Sequence, residues 1–121
     1  MFPFESAQDF EIKISEEHEL FRRSIREFSE EILAKYVMQI ERTNSIPDEA
    51  ITKAKELGLF GIGIPPEYGG QGGDSLMLAI TNEEIARVCP AFAAFVGANY
   101  LFTTPLLIFG TEEQKKKYVP P

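Results

Sequence analysis

Apolar positions recur along this chain in two rhythms, and the contrast between them organises everything else. From Ser15 to Tyr36 the rhythm is helical: Phe21, Ile25, Phe28, Ile32 and Tyr36 follow one another at spacings of four, three, four and four, one stripe of a 3.6-residue repeat. Ser15 is placed to cap that helix. Glu16, Glu17 and Glu19 fall in its first turn, where the helix dipole favours anions. Burial of Phe21, Ile25 and Phe28 is worth roughly 1.5–3 kcal/mol each. Residues 43–47 read as a connector, and a shorter helix follows from Asp48 to Leu57 with Ile51, Ala54 and Leu57 facing the core. Gly58 is placed to end it in the left-handed conformation. Asp74 or Ser75 opens a further helix over residues 75–88, with Leu78, Thr81, Ile85 and Val88 as its stripe. Thr111-Glu-Glu-Gln114 is a capping box before a basic helix carrying Lys115, Lys116 and Lys117.

The second rhythm is an absence of rhythm. From Val88 to Gly110 the chain runs 23 residues without a charge. That length suits either a membrane span or buried core helices. Pro105 near its end, Asn99 at its middle and the hydroxyls of Thr103 and Thr104 weigh against a span. Division at Pro90 and Pro105 predicts two buried helices. Ala91, Ala93, Ala94, Gly97 and Ala98 are small, so a neighbouring helix or an apolar ligand can approach closely. The reading is an all-α fold, an antiparallel and orthogonal bundle of five to six helices. Residues 1–14 form an N-terminal arm, and residues 15–121 form one helical domain.

Between the helices, Leu59 to Gly73 holds six glycines and two prolines in fifteen residues. That composition rules out a regular helix. Its apolar half is expected inside and its glycine half at the surface. A phosphate-binding reading fails on chemistry. The segment lacks the Gly-Lys-Ser/Thr of a nucleotide loop, Gly61-Ile-Gly63 runs at once into Pro65, and no lysine lies between Lys55 and Lys115.

Charge and composition narrow the function. A net charge of -7 opposes nucleic-acid binding, which depends on lysine and arginine against phosphate. Cys89 is the single cysteine, so no internal disulfide forms and no cysteine-based metal site is expected. Its surroundings mark it as a small buried hydrophobe. His18 has no second histidine at metal spacing and reads as structural. Glu84 and Arg87 are spaced for an ion pair. Glu83 and Glu84 diverge by about 100° on the helix and are not expected to share a site. The start of the chain has early acids and no basic stretch, unlike a secretory signal or transit peptide. The expected setting is cytoplasmic.

Four segments carry a resemblance: Glu56 to Gly73, Glu83-Glu-Ile-Ala-Arg87, Asn99 through Pro105 to Gly110, and Gly110-Thr-Glu-Glu-Gln-Lys-Lys-Lys-Tyr-Val-Pro-Pro121. In this order they resemble the N-terminal helical domain of the acyl-CoA dehydrogenases and of related flavoenzymes such as acyl-CoA oxidases. The resemblance implies an FAD-dependent oxidoreductase in which a β-domain and a C-terminal helical bundle follow this domain. A glutamate outside this chain would take the α-proton of an acyl-CoA thioester, and electrons would pass to an electron-transferring flavoprotein. No catalytic residue is therefore expected in this chain, and FAD is not expected to bind it alone. Ala94, Gly97, Ala98 and Leu101 would line the wall beside the acyl tail. Surfaces that meet the other domains would be exposed here, which predicts association into a dimer or larger oligomer. The rival readings are a stand-alone helical module that binds an acyl chain or a protein, and a membrane-anchored helical protein.

Overall fold

Ser15 opens helix α1 (Glu16–Glu27) as its spacing predicts: the hydroxyl accepts the His18 amide, and the His18 ring reaches back to the Ser15 amide. The computed structural model describes residues 14–120, so the arm expected over residues 1–14 lies outside the described residues except for Ile14. The helical path does not end at Tyr36. It passes through a π turn (Phe28–Ile32) and a 3-10 turn (Leu33–Tyr36) into α2 (Val37–Thr43), which stops at Asn44 with a left-handed φ of 51°. Inside the π turn the Ser29 hydroxyl donates to the Ile25 carbonyl at 2.8 Å, a side chain entering the backbone ladder. The wider turn shifts the stripe. Ile25 and Phe28 are buried as predicted, but Leu33 and Ile40 take the next buried places, with Ile32 and Tyr36 packed at the margin.

Helix α3 (Asp48–Glu56) ends where Gly58 adopts a φ of 70°. Its buried face differs from expectation. Ala50 and Ala54 are fully buried, whereas Ile51 is half-buried and Leu57 is exposed. Small side chains bring α3 close to the core, and the larger ones flank the contact. The glycine-rich segment then folds back on itself through 3-10 turns at Leu59–Gly61 and Pro66–Tyr68. The Gly63 amide donates to the Gly72 carbonyl, the Gln71 amide to Gly61 and the Gly72 amide to Ile64. Its apolar members Leu59, Ile62 and Ile64 are buried, as the sequence predicts.

Helix α4 (Ser75–Ala86) is capped by Asp74, whose Oδ1 accepts the Met77 amide at 2.9 Å. The expected stripe of Leu78, Thr81, Ile85 and Val88 is only half right: Ile80, Thr81, Glu84 and Ile85 are buried, with Leu78 and Val88 partly so. The reason is position. α4 packs against α1 on one side and α5 on the other, so more than one face is covered.

The largest correction concerns the uncharged stretch. It forms one helix, α5 (Pro90–Phe109), with Pro105 inside it, not two buried helices. Proline removes one helical hydrogen bond. The carbonyl left without that partner belongs to Leu101, a residue 80% exposed, where water can satisfy it. Phe92, Ala93, Val96 and Thr103 are buried, but Phe95, Leu101, Phe102, Ile108 and Phe109 are exposed. By length and composition α5 could cross a membrane, and 22% of its most apolar window is buried. Helix α6 (Glu112–Tyr118) opens with the predicted reciprocal box between Thr111 and Gln114. A small second core of Ile64, Tyr68 and Val119, with Leu106 and Leu107, joins α6 to the glycine-rich segment. The Tyr68 hydroxyl donates to Glu112 across that seam at 2.9 Å.

One buried charge ties α1 to α4. The Glu84 side chain is 2% exposed, and Arg26 grips it with two bonds of 2.9 Å. Arg22 adds a third at 2.9 Å and also donates to Glu83 at 3.0 Å. The two glutamates therefore do share a guanidinium, contrary to expectation, because a long arginine spans the angle between them. The expected Glu84–Arg87 pair is present at 3.5 Å and is secondary, since Arg87 also donates to Glu30. Hydrogen bonding from Arg26, opposed by burial, holds the Glu84 carboxyl at about 2, well below its ordinary 4.5.

This clamp stabilises the fold fully above pH 4.5 and loses its contribution as the pH falls toward 2. Replacing Glu84 with Gln should cost about 3 kcal/mol at pH 7 and flatten the acid limb of the stability curve. Urea unfolding at neutral and acid pH measures both; an equal cost at the two pH values would contradict the account. Packing at Gly70 gives a second test. A Cβ there would lie 2.0 Å from the Ile64 carbonyl oxygen, so Gly70→Ala should destabilise the chain by at least about 2 kcal/mol. An unchanged melting temperature would show that the segment relaxes freely.

Candidate functional site

A helix turns about 100° per residue, so Ala94, Gly97, Ala98 and Leu101 share one face of α5. The structure brings these four together on the open side of the helix, beside α4. With Asn82, Ala86 and Ala93 they line a shallow groove of about 450 Å³. Ala94, Ala98 and Leu101 are exposed and Gly97 is half-buried. A Cβ built on Gly97 would meet only the Asn82 Oδ1, at 3.7 Å. The glycine therefore leaves usable room and is not forced by packing.

The lining of this groove contains no ionisable side chain. Asn82, its one polar group, already donates its amide to the Leu78 carbonyl at 3.0 Å. Such a surface can grip an apolar chain through area and shape. It has no group to move a proton, attack a carbonyl or ligate a metal. Beyond Leu101 the apolar surface continues over Phe102, Ile108 and Phe109, the last 85% exposed. An exposed apolar tract of this kind marks an interaction surface.

The opposite face of α5 is fixed to the domain by polar groups, of which Asn99 and Thr103 weigh in the sequence only against a membrane span, while Tyr100 goes unremarked there. Asn99 Nδ2 donates to the Phe60 carbonyl and the Tyr100 hydroxyl to the Leu59 carbonyl, each at 2.8 Å. Burial pushes the Tyr100 hydroxyl up to about 12, so it remains a donor through the neutral range. The Thr103 hydroxyl turns back to the Asn99 carbonyl at 3.0 Å. Their signal in the sequence was positional. Asn99 and Tyr100 fall on the side of the helix away from the four small-wall positions. A second cleft of about 490 Å³ lies behind this face, bounded by Lys55, Phe60, Gln71, Phe95 and Asn99 among others.

The remaining candidates take structural places. His18 Nε2 lies 2.9 Å from Asp74 Oδ2 and links the starts of α1 and α4. The Met77 amide and then His18 lower the Asp74 carboxyl. Cys89 is fully buried in the main core. Among the described residues no group of three or more His, Cys, Asp or Glu is arranged to hold a metal ion. In the glycine-rich segment the amides of Gly63, Gln71 and Gly72 donate to the segment's own carbonyls.

The family model for the acyl-CoA dehydrogenase N-terminal domain matches residues 15–121. The 3-(aryl)acrylate reductase of Clostridium sporogenes is 37% identical over 108 residues, covering 88% of this chain and 29% of that protein. A chain in a structure of the electron transferring flavoprotein of Acidaminococcus fermentans superposes with a TM-score of 0.84 at 34% identity, over 93% of this chain and 30% of that one. Butyryl-CoA dehydrogenase from Megasphaera elsdenii gives a TM-score of 0.81 at 28% identity, over 93% and 30% respectively. The chain thus spans less than a third of the length of the relatives it matches. The matched span and the superpositions agree: the chain belongs to the acyl-CoA dehydrogenase family and corresponds to the family's N-terminal helical domain.

Proposed function

We propose that this chain is the acyl-pocket-lining N-terminal domain of an FAD-dependent acyl-CoA dehydrogenase. The observation that carries the reading is the uncharged groove on α5, built from Ala94, Gly97, Ala98 and Leu101. In the proposal these residues lie against the acyl tail of an acyl-CoA substrate, exclude water from it and fix how far it reaches. The apolar tract from Leu101 to Phe109 meets the remaining domains, or a second copy of the chain in a homo-oligomer. FAD sits in those domains and accepts the hydride there; the proton-abstracting glutamate also lies outside this chain. An electron-transferring flavoprotein is the electron acceptor, and the setting is cytoplasmic.

Support for this comes from the match between what the groove offers and what it lacks. It supplies apolar area without chemistry, which is what a tail-binding wall needs. The name of the Clostridium relative points to the reductive direction on a conjugated acid. A wall that touches only the tail serves either direction.

Gly97 separates stability from function. Gly97→Ala should leave the fold intact or stabilise it by about 0.5–1 kcal/mol, as expected for glycine replaced within a helix. In the complete flavoenzyme, Gly97→Phe should lower kcat/KM for long acyl-CoA substrates by at least about tenfold relative to short ones. Steady-state kinetics across a series of acyl lengths checks this. An unchanged length profile in Gly97→Phe would remove the groove from the substrate site.

A further inference from the structure

Apolar contact is non-directional. A helix as uniformly apolar as α5 can roll or slide on a greasy surface with little penalty, and its wall would move with it. Two directional bonds prevent this. Asn99 and Tyr100, adjacent in sequence, donate to Phe60 and Leu59, adjacent carbonyls of the single 3-10 turn Leu59–Gly61. That turn is anchored in its own right: Leu59 is fully buried, and the Gly61 amide donates to the Gly58 carbonyl at 2.9 Å. The Phe60 ring meets the Phe95 ring edge-on, with centroids 5.8 Å apart. This rear latch sits level with Gly97, Ala98 and Leu101, and it lies N-terminal to Pro105, where the helix has lost one of its own bonds.

We propose that Asn99 and Tyr100 are positioning residues that set the depth of the acyl groove by pinning the midpoint of α5 to the Leu59–Gly61 turn. Neither side chain lines the groove; each acts through the helix it holds. The inference rests on the reading of the groove as an acyl-tail wall and adds what determines its reach. Loss of the latch lets α5 settle toward or away from α4, so acyl-length preference changes while the chemistry, housed elsewhere, keeps its rate.

The test uses the complete holoenzyme with Asn99→Leu, which keeps the bulk but removes the donor, and Tyr100→Phe, which removes only the hydroxyl. The ratio of kcat/KM for octanoyl-CoA over butyryl-CoA should shift by about tenfold in the double variant, mainly through KM, with kcat for the preferred length retained. Asn99→Gln, which keeps the amide donor, should recover part of the wild-type ratio. Amide hydrogen exchange over residues 94–101 should quicken in the double variant and not in Asn99→Gln. A uniform loss across acyl lengths, or a ratio that does not move, would overturn the positioning role. Unchanged exchange would overturn the latch itself. A wild-type holoenzyme inactive on linear, branched and aryl acyl-CoA thioesters, in both the oxidative and the reductive direction, would refute the dehydrogenase reading, and the exchange result would then decide the latch alone.

Discussion

The 20-residue helix α5 carries no charge, and the rest of the described chain covers only part of it. The rest of the structure answers that constraint. One face of α5 is buried by Phe92, Ala93, Val96 and Thr103 against α4 and the glycine-rich segment. The other face is left open, and it carries the small residues. An apolar helix has no polar edge to tell one face from the other. Asn99 and Tyr100 provide that edge, since each finds its acceptor on one side only.

The remaining elements hold this arrangement in place. α4 lies between α1 and α5, so whatever fixes α4 fixes the wall. The buried Glu84 carboxylate does this through Arg22 and Arg26 on α1. Isolated surface ion pairs contribute little, but a buried carboxylate with three charge-assisted bonds is costly to break. At the other end, the second core around Tyr68 and Val119 ties the last turns of α5 to α6 and the glycine-rich segment. The groove is therefore a by-product of how α5 is held and not a separately built pocket.

Much of this was legible in the sequence because it is local. The caps at Ser15, Asp74 and Thr111, the stop at Gly58 and the inward Leu59, Ile62 and Ile64 depend on neighbours within a few residues. What was misread depends on distant partners. The stripe of α4 could not show that a second helix would cover its other side. Spacing pairs Glu84 with Arg87 and that contact forms at 3.5 Å, but the shorter bonds to Glu84 come from Arg22 and Arg26, about sixty positions away. Pro105 reads as a helix boundary in the sequence, yet the helix continues through it, and Leu101, whose carbonyl loses its partner, is exposed. That Ala94, Gly97, Ala98 and Leu101 share one helix face is legible from their spacing; that this face stands open, with Asn99 and Tyr100 bonded to Phe60 and Leu59 behind it, depends on distant partners.

The functional account places chemistry and recognition in different parts of one protein. This chain would contribute shape and apolar area, and the remaining domains would contribute flavin, base and electron transfer. Its openness then has a simple meaning: in this proposal the groove would be one side of a channel. The most direct measurement is a crystal structure of the complete holoenzyme with a long-chain acyl-CoA bound. The account predicts the end of the tail in van der Waals contact, about 4 Å, with Gly97, Ala98 and Leu101, and the Phe102–Phe109 surface covered. A tail lying away from α5, with that groove still open to solvent, would contradict it.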